Sequence, residues 1–181
     1  MTLTYKVEFL DYWHLSSGFS AGAKLDSSVV KDKYGLPYLS GKTLKGLVRE
    51  MAELLEDKVF IKSCFGDEGG NMGSCYFSNA TLPKNMYDEI KKHNLQERLY
   101  DVIASTKIGQ KDVKNETEGI AVDNSLREIE VVVPITLKGS IDDVPSEYET
   151  KMIQAIKMIK RMGLNRNRGL GRCVINIERE A

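Results

Sequence analysis

The chain has 181 residues, 41% hydrophobic and 29% charged, values ordinary for one soluble globular domain with a real core. Its 26 basic and 26 acidic residues cancel, which excludes a generic polycation. No apolar run approaches the roughly 18 residues needed to span a bilayer, and the opening MTLTYKVEFL has neither a basic stretch nor a cleavage site, so no signal peptide is expected.

In chain order, residues 3–13 place Leu3, Tyr5, Val7 and Phe9 at alternate positions, which predicts a half-buried strand. Residues 14–42 are rich in Ser, Gly and Lys and read as a long loop. A helix is predicted over about 43–57, with Leu44, Leu47, Val48, Met51, Leu54 and Leu55 on one face and Lys42, Lys45 and Arg49 on the other. Residues 66–74 read as a turn, 75–80 as a short strand and 83–104 as a broken helix. The polar stretch 107–127 reads as an inserted hairpin projecting from the domain.

EIEVVVPITL (128–137) is predicted as the next strand, with Pro134 marking an edge or bulge. Ser146 and Glu149 carry a capping-box signature for a helix over about 147–162, burying Tyr148, Met152, Ile156 and Ile159, with Gly163 placed to cap it. GLNRNRGLGR (163–172) reads as a Gly- and Arg-rich loop before a last strand, CVINIE. Strand, helix, strand, strand, helix, strand predicts an α+β, ferredoxin-like (RRM-like) βαββαβ fold over 1–181 as one domain, its two helices on one face of an antiparallel sheet.

GLPYLSGKT (35–43) has the look of a P-loop, but five residues separate Gly35 from Gly41 where the motif has four, and one of them, Pro37, has no N–H to offer a phosphate. Cys64, Cys75 and Cys173 lack CxxC spacing and fit a reducing, cytoplasmic setting, as buried thiols or, for Cys64 and Cys75 with His93, as metal ligands. Charge is uneven: Lys151 to Arg172 holds seven Lys or Arg and no Asp or Glu, enough to bind a polyanion locally.

PYLSGKTLKG with Arg49, then CFG before GSCYF, then GLNRNRGLG occur in that order along almost the whole chain. Together they resemble the repeat-associated (RAMP) superfamily, in particular the repeated backbone subunits of type III CRISPR effector complexes. Ser40 stands where that family usually has proline, and Lys42 where it has serine. The resemblance implies binding of CRISPR guide RNA and target RNA, and assembly with other effector subunits, including copies or relatives of the chain; no membrane is expected to be involved.

The resemblance implies RNA-backbone contacts from Ser40, Gly41, Lys42, Thr43, Lys45 and Arg49, and from Arg166, Arg168, Gly169 and Gly171 in the second loop. The physics of a helix N-terminus beside free cations agrees; the plain alternative is a solvated helix face. It also implies a thumb-like hairpin at 107–127 that parts guide from target, with Ile108, Ile120, Val122 and Leu126 as its apolar wedge. A mobile surface loop is the alternative.

Asp26, in KLDSSVV, matches the family's aspartate for metal-dependent cleavage of target RNA, although the preceding glycine, Gly22, lies one position further away. That reading makes Asp26 both the catalytic residue and the ligand of Mg²⁺ or another divalent cation; the alternative is an aspartate that caps a turn. His14, beside Tyr12 and Trp13, carries a rival enzymatic reading: acid–base catalysis in a stand-alone CRISPR RNA-processing endoribonuclease. A non-catalytic RNA scaffold is the third reading.

Overall fold

A computed structural model describes residues 1–18, 27–67, 69–106 and 126–178 of the chain. β1 (Leu3–Phe9) buries its odd-numbered residues, as the alternation predicts. It is a central strand, paired antiparallel with β5 (Thr136–Asp142) on one side and β6 (Cys173–Glu178) on the other, so that Val7 lies opposite both Leu137 and Ile175. A two-residue β2 (Tyr76–Phe77) adds to β5, giving the order β2–β5–β1–β6 with every pair antiparallel.

Helix α1 (Gly41–Glu53) packs on α4 (Glu149–Met158) over this sheet. Leu44 and Val48 of α1 and Met152 and Ile156 of α4 enter one core with Tyr5, Val7, Leu137 and Ile175. Full burial of an apolar side chain of this size contributes roughly 1.5–3 kcal/mol, so these two apolar stripes fix both helices to the sheet. Because α1 ends at Glu53, Leu54 falls outside the predicted stripe and is 64% exposed.

The structure corrects several boundaries. Residues 58–65 form a helix the periodicity did not reveal, α2 (Lys58–Phe65), capped by the Asp57 carboxylate on the N–H groups of Val59 and Phe60. The stretch read as a broken helix divides into α3 (Lys84–Lys92), a 3₁₀ turn at Gln96–Leu99 and a strand, β3 (Tyr100–Ser105). The predicted strand 128–137 is two strands in two sheets. β4 (Arg127–Val132) pairs with β3, and the chain crosses to the main sheet at Pro134, where the missing N–H cannot continue a ladder.

The capping box is not formed. Ser146 opens a 3₁₀ turn and no side chain caps α4, which stops at Met158 with Ile159 extended. Gly163 therefore ends no helix; it lies where a Cβ would come 2.2 Å from the His14 carbonyl oxygen. The predicted hairpin residues 107–125 lie outside the described residues. What is described is the chain flanking them, the β3–β4 ladder that runs to the pair Ser105–Arg127.

Candidate nucleic-acid interface

The start of α1 is fastened to the β2 side of the sheet. Leu39 and Ala80 exchange backbone hydrogen bonds of 2.9 Å, extending the sheet beyond β2. Gly41 then passes so close to β2 that a Cβ would meet the Phe77 carbonyl oxygen at 2.0 Å. The lack of a Cβ at Gly41 thus serves an approach to protein backbone, and its N–H is taken by Asn79 Oδ1 at 2.9 Å.

Ser40 is extended and makes no side-chain cap, so the first-turn N–H groups of Lys42 and Thr43 lack intrahelical partners. Both side chains are exposed, while Lys45 and Arg49 are half-buried further along the helix. Arg49 pairs with Glu53 at 3.3 Å. It also lines a cleft of about 450 Å³ with Lys58 and Lys62 of α2 and with Gly66, Asp67 and Gly69. Those two lysines escaped the sequence reading because α2 itself did; the signal available was Asp57 as a cap ahead of Phe60 and Cys64 at helical spacing.

The Gly- and Arg-rich loop is closed at its base. Met162 N–H donates to the Gly171 carbonyl at 3.0 Å, and Gly171 N–H donates to the Tyr12 carbonyl at 2.8 Å. Within the loop Arg168 N–H donates to the Asn165 carbonyl at 2.7 Å. Arg166, Arg168 and Gly169 are exposed and Gly171 is buried. Among the described residues no carboxylate pairs with Arg166 or Arg168, whereas Arg172 is held by Asp11 at 3.1 Å.

His14 joins this loop to the segment that carries Asp26. Its backbone carbonyl accepts the Leu164 N–H at 2.9 Å. Its side chain is fully buried. Nδ1 lies 2.5 Å from the Glu130 carbonyl oxygen and must be the donor there, so in the neutral ring Nε2 accepts from the Ser27 hydroxyl at 2.9 Å. Neither nitrogen is open to a substrate. Glu130, itself buried, accepts from Val29 N–H at 3.0 Å and Lys31 Nζ at 2.7 Å.

Asp26 lies outside the described residues, but the chain on either side of its segment is anchored. Ser17 N–H donates to the Ser28 carbonyl at 3.0 Å and Val30 N–H to the Leu15 carbonyl at 2.9 Å, a short antiparallel ladder. The structure therefore brings the Gly- and Arg-rich loop to the base of the Asp26 segment, with His14 between them. It does not bring them to α1. From the register, the α1 start is at the β2 edge near the level of Leu3 and the loop at the β6 edge beside Phe9, on the order of 20 Å apart.

Cys64 and Cys75 are buried, Cys75 Sγ donates to the Asp143 carbonyl at 3.8 Å, and the neighbouring Cys75 thiol together with burial holds the Cys64 thiol above its ordinary value. The His93 side chain is exposed and faces Glu89 at 3.3 Å. Among the described residues no group of three or more His, Cys, Asp or Glu side chains converges as a metal site, and no helix is long and apolar enough to cross a membrane.

A family model described as the RAMP superfamily matches residues 6–174. The chain belongs to the RAMP superfamily. No curated protein matches it. Among solved structures, this RAMP chain is similar to a chain of the type III-B Cmr-beta complex bound to cognate target RNA, with a TM-score of 0.74 and 10% identity over 98% of this chain and 97% of that one. It is likewise similar to a chain of the same kind of complex in its apo state, with a TM-score of 0.70 and 11% identity over the same shares. At such identities the likeness is one of fold.

Proposed function

We propose that this RAMP protein is a guide-RNA-binding backbone subunit of a type III CRISPR ribonucleoprotein, standing beside copies or relatives of itself. The observation that carries the reading is the meeting at His14 of a loop whose Arg166 and Arg168 have no carboxylate partner among the described residues and the anchored base of the Asp26 segment. The end-to-end likeness in fold to chains of a target-RNA-bound Cmr-beta complex supports it. So does the strand order β2–β5–β1–β6 under α1 and α4, which is the order of a ferredoxin-like split βαβ sheet.

In this reading the guide backbone runs between two cation sets, Lys42, Lys45 and Arg49 on α1 and Arg166 and Arg168 on the loop. Their separation means that they contact phosphates several nucleotides apart. The β3–β4 ladder is the root of a thumb-like hairpin. Asp26 holds Mg²⁺ or another divalent cation for cleavage of target RNA. Mg²⁺ is commonly bound through one or two carboxylates with the remaining positions filled by water and phosphate oxygens, so one aspartate and the RNA itself suffice. Bound there, the ion would stabilise the charge that develops as a 2′-hydroxyl gives up its proton and attacks the adjacent phosphate. The 5′-oxygen of the next nucleotide leaves and takes up a proton, giving a 2′,3′-cyclic phosphate and a 5′-hydroxyl.

The reading is tested by purifying the chain with its native assembly. RNA of defined length should copurify, and target cut in that assembly should show products at regular intervals set by subunit spacing. An assembly free of RNA contradicts the proposal. Processing once per repeat by the isolated chain would favour the stand-alone endoribonuclease instead.

A further inference from the structure

We propose that Tyr34, presented between Lys33 and Lys91, is a stacking platform for an unpaired base of single-stranded RNA. Tyr34 is 44% exposed, yet the turn that carries it is tightly held. Asp32 Oδ1 accepts the N–H groups of Tyr34 at 2.8 Å and Leu36 at 2.9 Å, and its Oδ2 accepts the Tyr87 hydroxyl at 2.7 Å. The Gly35 carbonyl accepts the Tyr100 hydroxyl at 2.7 Å. The Tyr34 ring meets the Tyr87 ring edge-on, with centroids 6.4 Å apart. Side chains from α3 and β3 thus fix a turn whose tip is a half-exposed aromatic ring.

The chemistry around that ring suits a nucleotide. Lys91 Nζ lies 3.5 Å from the ring centroid and Lys33 Nζ 5.0 Å. Among the described residues neither lysine is in an ion pair, and both oxygens of Asp32 are spent on the turn and Tyr87. An exposed cation over a ring contributes only about 0.5–1 kcal/mol, whereas a base stacked on an aromatic side chain contributes roughly 1–3 kcal/mol. A base can therefore replace a lysine on the ring while the lysine moves to the flanking phosphate. Tyr34 lies on the stretch of chain between Asp26 and the α1 start. The proposal rests on the RNA-binding reading and adds a base contact to its phosphate contacts.

The test uses the full chain and a labelled oligouridylate, followed by fluorescence anisotropy across a salt series. Tyr34→Ala should weaken binding by roughly 5- to 150-fold without changing the salt slope or the melting temperature. Tyr34→Phe should bind as the wild type does, since stacking needs the ring and not the hydroxyl. Lys33→Ala with Lys91→Ala should flatten the slope of log K against log salt by about 1.4. Wild-type binding matched by Tyr34→Ala overturns the platform alone, as does an equal loss in Tyr34→Phe. A wild-type chain that binds no oligonucleotide, with or without its assembly, overturns both this proposal and the RNA-binding reading.

Discussion

Replacing Asp26 by alanine should abolish cleavage of bound target RNA, with guide and target binding nearly intact. The rate should fall by roughly 10²-fold or more, because a metal ion at a phosphoryl centre supplies several kcal/mol of charge stabilisation. EDTA should have the same effect on the wild-type assembly. A histidine mechanism predicts the reverse pattern, with cleavage indifferent to EDTA and lost in His14→Ala. The position of His14 weighs against that pattern: the ring is fully buried and both nitrogens are engaged, one by the Glu130 carbonyl and one by Ser27. Cleavage that survives Asp26→Ala in the assembled complex would leave the chain a scaffold.

Gly41→Ala should be among the most damaging single substitutions in the chain. The new Cβ would lie 2.0 Å from the Phe77 carbonyl oxygen and 2.8 Å from its carbon, and both atoms are backbone, so no side-chain rotation relieves the clash. Overpacking usually costs about 1–3 kcal/mol, and a forced shift between α1 and β2 belongs at the upper end or beyond. At about 3 kcal/mol the melting temperature of a domain this size falls by roughly 6–12 °C. Gly46→Ala is the control. Nothing lies within 4 Å of a Cβ there, and alanine is the better helix former by about 1 kcal/mol. Thermal unfolding followed by circular dichroism should show Gly41→Ala lowered and Gly46→Ala unchanged or raised; equal melting temperatures would refute the packing argument.

These two glycines show what a sequence can and cannot reveal. Helical spacing made α1 legible, because Leu44 and Val48 face one core. It could not say that Gly41 approaches Phe77, since that contact is set by how α1 meets β2. The same division runs through the fold. β1 and β6 alternate cleanly and were readable, whereas β3 buries no residue fully and leaves Val102 half-exposed, so no period-two signal survives. β4 and β5 read as one strand because EIEVVV and ITL are equally apolar, and only the sheet reveals that Pro134 divides them. α2 is eight residues long, too short for its stripe to stand out beside the polar turn that follows.

The candidate site divides in the same way. Exposed cations in a glycine-rich loop were visible as composition, and Arg166 and Arg168 are exposed. The burial of His14 was not visible, because its partners lie 116 and 13 residues away. Nor was the platform at Tyr34, which depends on Tyr87 and Tyr100 from later elements. Local spacing predicts faces; it does not predict which distant side chain satisfies a buried polar atom.

The central claim is that the α1 and loop cations hold RNA through its phosphates. Its most direct test is the salt dependence of RNA binding by the chain in which Lys42, Lys45, Arg49, Arg166 and Arg168 are all alanine. A single strand loses about 0.7 in the slope of log K against log salt for each phosphate contact removed, so five contacts predict a slope flatter by about 3.5 and weaker binding for every sequence alike. An affinity and slope equal to those of the wild type would contradict the account.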